Sequence, residues 1–100
     1  MAIHFFMRLN PPRPDFATTM TQEERTMMAQ HTAYLRELLA HGKLIFAGPV
    51  FDPAGAFGAG IVEVESHEEA LQIADNDPSV RSGMNRYDVI PMRLGMLRGQ

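Results

Sequence analysis

Cysteine is absent from the 100-residue sequence, which excludes disulfide bridges, a thiolate nucleophile and thiolate-held metal sites together. Basic residues are few: 9 Lys plus Arg stand against 12 Asp plus Glu, a net charge of -3, and they are scattered along the chain. Nucleic-acid binding therefore lacks the basic stripe that phosphate neutralisation requires. No stretch approaches the roughly eighteen continuous apolar residues of a membrane helix. The opening Met-Ala-Ile-His-Phe-Phe-Met-Arg carries only a short apolar run before Asn10 and a proline-rich loop, unlike a secretory signal. A cytoplasmic protein without membrane or nucleic-acid partners is expected. Glycine-rich nucleotide fingerprints and oxygen-rich calcium spacing are also missing, so no cofactor is expected. His4, His41 and His67 are isolated and form no pair at helical ligand spacing, which leaves no metal site.

What is present is a 45% hydrophobic chain long enough for one core, so residues 1–100 are read as a single domain. Residues 2–8 form a short β-rich run that stops at Asn10, Pro11, Pro12 and Pro14, and a loop follows to about Met20. Thr21 with Glu24 has the form of a capping box and opens a helix that runs to Gly42, a natural left-handed stop. Residues 43–51 make an apolar strand interrupted by Gly48-Pro49, a pair that marks a bulge or an unpaired edge. Asp52-Pro53-Ala54-Gly55 suits a type I turn, and residues 57–65 return as the second arm of a hairpin. Ser66 with Glu69 gives a second capping box and a helix that ends before Asp77-Pro78. Asp77 caps one further turn closed by Gly83, and residues 87–92 form the last strand.

Strand, helix, strand, strand, helix, strand is the split βαβ order of an α+β, ferredoxin-like domain with a four-stranded antiparallel sheet. Two helices cover one face of such a sheet. The second strand is apolar at both parities, with Leu44 and Phe46 on one side and Ile45 and Ala47 on the other, so the second face also wants cover. A second copy of the chain in a closed homodimer supplies it, with higher assembly open; a C-terminal tail carrying Leu94, Met96 and Leu97 is the alternative.

Among residues able to do chemistry, His31 falls near the middle of the arc spanned by Met27, Met28, Leu35 and Leu38 and should point inward. An inward imidazole is either a satisfied core residue or a proton carrier. Asp77, on a tight Asp-Pro turn, is its natural orienting partner, and equally a plain helix cap. Gly48 and Pro49 could set exposed backbone beside a small-molecule pocket, or simply kink the strand. Arg8 could hold an anionic group of a substrate, or lie at the rim in water.

In order and spacing, His31-Thr-Ala-Tyr-Leu35, Leu38 to Leu44, Ala47-Gly48-Pro49, Asp52, Glu69-Ala70, Asp77-Pro78 and Gly83 resemble the YciI-like (YCII-related) family across roughly residues 24–93. The resemblance implies the dimeric α/β barrel superfamily, with the first-helix histidine and the Asp-Pro aspartate as the active-site pair, here His31 and Asp77. Ser79 and Met92 stand where the family often has aromatics. One branch of the family is attributed lyase chemistry, the dehydrochlorination of a chlorinated hydroxybenzene. The expectation is a cofactor-independent lyase- or isomerase-type enzyme acting on a small cyclic molecule. The rival is a binding or accessory module in which the pair is a buried hydrogen-bonded contact.

Overall fold

Alternating apolar side chains draw four strands into one antiparallel sheet, and the structure, a computed structural model, describes residues 1–99 of it. The strands are β1 (Ile3–Asn10), β2 (Leu44–Val50), β3 (Phe57–Val64) and β4 (Arg86–Met92), in the spatial order β2-β3-β1-β4. Between them run α1 (Phe16–Thr19), α2 (Gln22–Ala40), α3 (His67–Asp75) and α4 (Pro78–Arg81). This is the ferredoxin-like βαββαβ plan expected, with both longer helices on one face. Phe5, Met7, Leu44, Val62 and Val64 from that face meet Ala70 and Ala74 of α3 in the core. α3 lies over β1, β3 and β4, whereas α2 packs along β2 and α4.

The helix boundaries follow from local chemistry. Thr21 and Glu24 form the full reciprocal capping box, and α2 closes with Lys43 N–H on the Leu38 carbonyl and Gly42 N–H on that of Leu39. That pair of bonds is a Schellman stop, and Gly42 supplies its left-handed φ of 75°. α4 ends the same way at Gly83, φ 83°, with Met84 N–H on the Ser79 carbonyl. The second capping box is only half as expected. Ser66 accepts from the Glu69 amide, but the Glu69 carboxylate reaches back to the amide of Glu65, one residue earlier than the cap.

Three local expectations need correction. The loop after β1 contains the helical turn α1, whose Phe16 is buried. β1 extends to Asn10 because Leu9 and Asn10 still find partners in Tyr87 and Arg86. The third is the shared side expected for Leu44 and Phe46, because a bulge lies between them; Gly48-Pro49 pairs regularly with Ala59 and Gly58 and meets the edge alternative, since β2 is a margin of the sheet. One inserted residue switches parity. Leu44 therefore sits opposite Val62 in the core, and Phe46 sits opposite Ile61 on the other face.

That other face is unpartnered. Phe46, Val50 and Ile90 on it are 50%, 38% and 46% exposed. Of the apolar side chains in the tail, Met96 is 98% and Leu97 39% exposed, and Leu94 is half-buried. Strands β2 and β4 are the two sheet edges, and each carries a proline, Pro49 and Pro91. No helix among the described residues is long and apolar enough to cross a membrane.

Candidate active site

α2 stands off the centre of the sheet, and the consequence is visible along its inward stripe. Met27, Met28, Tyr34, Leu35 and Leu38 are only half-buried, and His31 alone is buried. Beneath them opens a cavity of about 720 Å³, floored by Met7, Leu9, Gly58, Gly60 and Val62 and walled by α2 and β2. The missing side chains of Gly58 and Gly60 are needed locally. A Cβ on Gly60 would stand 3.0 Å from the Phe46 carbonyl oxygen at the bulge.

His31 projects into this cavity region from the helix, and Asp77 meets it from the junction of α3 and α4. Asp77 is fully buried and still charged in character, because its carboxylate is saturated with donors. Its Oδ2 accepts from His31 Nδ1 at 2.6 Å and from the Tyr87 hydroxyl at 2.7 Å. Its Oδ1 accepts from the Ser79 amide and the Ser79 hydroxyl, both at 2.9 Å. Burial pushes the Asp77 carboxyl up, but the His31 bond and charge, the Tyr87 hydroxyl and the Ser79 amide outweigh it and hold the group below its ordinary value. The same negative charge, after burial, pushes the Tyr87 phenol upward, so it stays a donor.

A carboxylate only accepts, so the His31 nitrogen facing it carries the hydrogen. In the neutral ring this leaves the lone pair on Nε2, which has no hydrogen-bond partner among the described residues. Chemically, such an arrangement can serve as an oriented base with a fixed anion behind it. Tyr34 lies nearby and is spent structurally: its hydroxyl donates to the Ile73 carbonyl at 2.7 Å, and burial and the Asp77 charge push it up to about 12.

Gly48 and Pro49 line the cavity as part of β2. A Cβ on Gly48 would meet nothing within 4 Å, so no close approach inside the chain demands that glycine. Arg8 does not join the site. Its parity, opposite to that of Met7 and Leu9, turns it to the unpartnered sheet face, where its guanidinium lies 3.7 Å from the Phe57 ring centroid and bonds Asn10, which in turn bonds Asp88. The remaining histidines are dispersed: His4 pairs with Glu63, His41 with the Glu37 carbonyl, and His67 stacks on Phe5.

Ser79, Tyr87 and Asn85 belong to the site and were not singled out as such from the sequence. Asn85 is 5% exposed and lines the cavity; its amide nitrogen donates to the Met28 thioether at 3.4 Å, while its Oδ1 is buried without a partner. The strap of residues 11–20 adds Pro11, Phe16, Ala17 and Met20 to the lining. Arg13 clips it to α2 through two bonds to the Glu24 carboxylate at 2.8 and 2.9 Å, and braces the strap within itself through one to the Thr19 carbonyl at 2.8 Å. The Arg13 bonds, with the Thr21 amide, hold Glu24 down at about 2. The clip thus persists as pH falls through the ordinary carboxylate range and is lost only near 2. Arg13→Ala is expected to speed proteolytic cleavage within residues 11–20 while the circular dichroism of the sheet and α2 is unchanged.

Fold and site together define a small α+β protein of the dimeric α/β barrel type, with a buried histidine–aspartate pair opening on an apolar cavity. The YCII-related domain model matches residues 4–93, and the chain belongs to that family. It is 36% identical over 67 residues to the uncharacterized protein YjpA of Bacillus subtilis (strain 168), covering 67% of this chain and 76% of that one. Among solved structures it is similar to 5-chloro-2-hydroxyhydroquinone dehydrochlorinase (TftG) from Burkholderia phenoliruptrix AC1100, in complex with 2,5-dihydroxybenzoquinone. That likeness has a TM-score of 0.63 and 25% identity, and covers 89% of this chain and 93% of that one.

Proposed function

We propose that this chain is a cofactor-independent enzyme of lyase or isomerase type, in which His31 moves a proton of a small cyclic substrate and Asp77 orients it. The observation that carries the reading is the 2.6 Å contact between His31 Nδ1 and a fully buried, four-fold hydrogen-bonded carboxylate at the edge of a cavity. In elimination, Nε2 takes a proton from the substrate, and the released electron pair forms a new double bond. The leaving group departs with its bonding pair, and the imidazolium, stabilised by Asp77, later gives up the proton. In isomerisation the same proton returns to a different atom. The similarity to a dehydrochlorinase of a hydroxylated ring supports this substrate class.

The direct test is to supply 5-chloro-2-hydroxyhydroquinone and follow chloride release together with quinone absorbance, alongside deuterium exchange into a set of unchlorinated hydroxybenzenes. Either activity, lost in a His31 variant that still folds, supports the reading. Binding of these rings with neither release nor exchange overturns it in favour of a binding module.

The unpartnered face carries the second part of the proposal, a homodimer in which two sheets meet face to face over Phe46, Val50 and Ile90. Placing a charge among those three apolar side chains costs desolvation on association. Ile90→Asp is expected to shift sedimentation from dimer to monomer, and an unchanged dimer would show that association uses another surface.

A further inference from the structure

Building on the reading of the cavity as a site for a small ring, we infer that Asn85 is a substrate-binding residue whose amide oxygen receives a hydrogen bond from a hydroxyl group on that ring. Buried polar atoms are nearly always paired, and leaving one unpaired is costly. Asn85 Oδ1 is buried and unpaired in a side chain only 5% exposed, and the residue lines the cavity. The direction of the missing bond follows from the other end of the amide. Met28 offers a thioether, which accepts and never donates, so the nitrogen faces the sulfur and the oxygen is the free end. An oxygen needs a donor. A ring hydroxyl supplies one, whereas an ether or a carbonyl does not.

Position ties this amide to the proposed proton carrier. Met28 precedes His31 by three residues on α2, so Asn85 touches the same face of the helix one turn away. The α4 turn fixes both groups from below. Asp77 holds His31, and Ser79, which bonds Asp77 through its amide and hydroxyl, gives its carbonyl to the backbone amide of Asn85 at 2.9 Å. The thioether is a weak acceptor and the terminal torsion of asparagine is broad, so the amide can leave the sulfur at small cost and turn its closed-off oxygen toward a ligand. The class of substrate selected is a ring with a hydroxyl donor for Asn85 near the atom whose proton His31 takes.

The test compares hydroquinone with its dimethyl ether, 1,4-dimethoxybenzene, by NMR titration of the full chain and of Asn85→Leu and Asn85→Ala. Both variants keep the backbone amide that bonds Ser79, and the pair guards against one of them failing to fold. Wild type is expected to bind hydroquinone about tenfold or more tightly than the ether, since a hydrogen-bonding site rejects the analogue that lacks the group. In the variants that preference should vanish while affinity for the ether is kept and the melting temperature is unchanged or raised. A preference that survives in both variants overturns the inference and leaves the role of His31 standing. A lowered melting temperature with intact preference makes the amide structural and also overturns it. Failure of both rings to bind wild type removes the inference together with the small-ring reading on which it rests.

Discussion

Turnover of a ring substrate by His31→Ala is expected to fall by about two to four orders of magnitude, the span that general acid-base catalysis contributes. The fold should survive. Asp77 keeps the Tyr87 hydroxyl and both Ser79 donors when the imidazole is removed, so its carboxylate is not left bare. The loss of one charged hydrogen bond costs about 1–3 kcal/mol of stability. KM should change less than kcat, because the lining that would hold the ring is mainly apolar. Addition of imidazole is expected to restore part of the rate, since the vacated space adjoins the cavity. A variant with full activity would show that the histidine is a packing residue, and the proposed chemistry would fall with it.

Asp77 has the largest expected effect on folding. Asp77→Ala removes the cap of α4 and strands the donors of His31, Tyr87 and Ser79 in the interior, a loss of about 3–5 kcal/mol by comparison with other broken buried networks. Asp77→Asn separates this structural role from the proposed catalytic one. Its shape still fits and its oxygen still caps, but the amide lacks the negative charge behind the imidazolium, and an NH2 facing Nδ1 would favour the tautomer with the hydrogen on Nε2. Its kcat is therefore expected to drop by about two to four orders of magnitude, with a much smaller loss in denaturant midpoint than the alanine variant shows. The sign of the pH dependence follows from the depressed carboxyl. Its folded value lies below the ordinary 3.8, so the stability it contributes is complete above that pH and disappears as pH falls toward the folded value. Wild type should accordingly lose stability below about pH 4 more steeply than Asp77→Asn. Parallel acid unfolding of the two proteins would contradict this account.

Much of the framework was legible because its punctuation is local. Thr21 and Glu24, Gly42, Ser66 and the Asp77-Pro78 pair act within a few residues, so each boundary could be read from neighbours in sequence. His31 was legible for the same reason, since its inward position follows from helical period. What escaped depends on where strands pair. The bulge beside Ile45 is decided by the pairing of β2 with β3, and nothing in an unbroken apolar run marks the extra residue. Arg8 was assigned by proximity to apolar residues, but strand parity sends it to the opposite face. Tyr87 reaches Asp77 only because β4 lies beside β1 and under α3, ten residues after the turn it completes. Ser79 did carry a local signal: two positions after a capping aspartate, it is placed to offer both amide and hydroxyl to the same oxygen. The apolar strap was hidden because α1 is a single turn whose one buried residue is Phe16.

The prolines at the two margins of the sheet bear on how copies of this protein meet. A margin strand normally offers a row of main-chain donors to any passing strand, and from such rows grow continuous ribbons. Pro49 and Pro91 each lack that donor, one on either flank, so lateral zipping is interrupted whichever side is approached. In the proposed dimer, association turns from open-ended polymers toward the face that carries Phe46, Val50 and Ile90, where contact between two copies closes on itself.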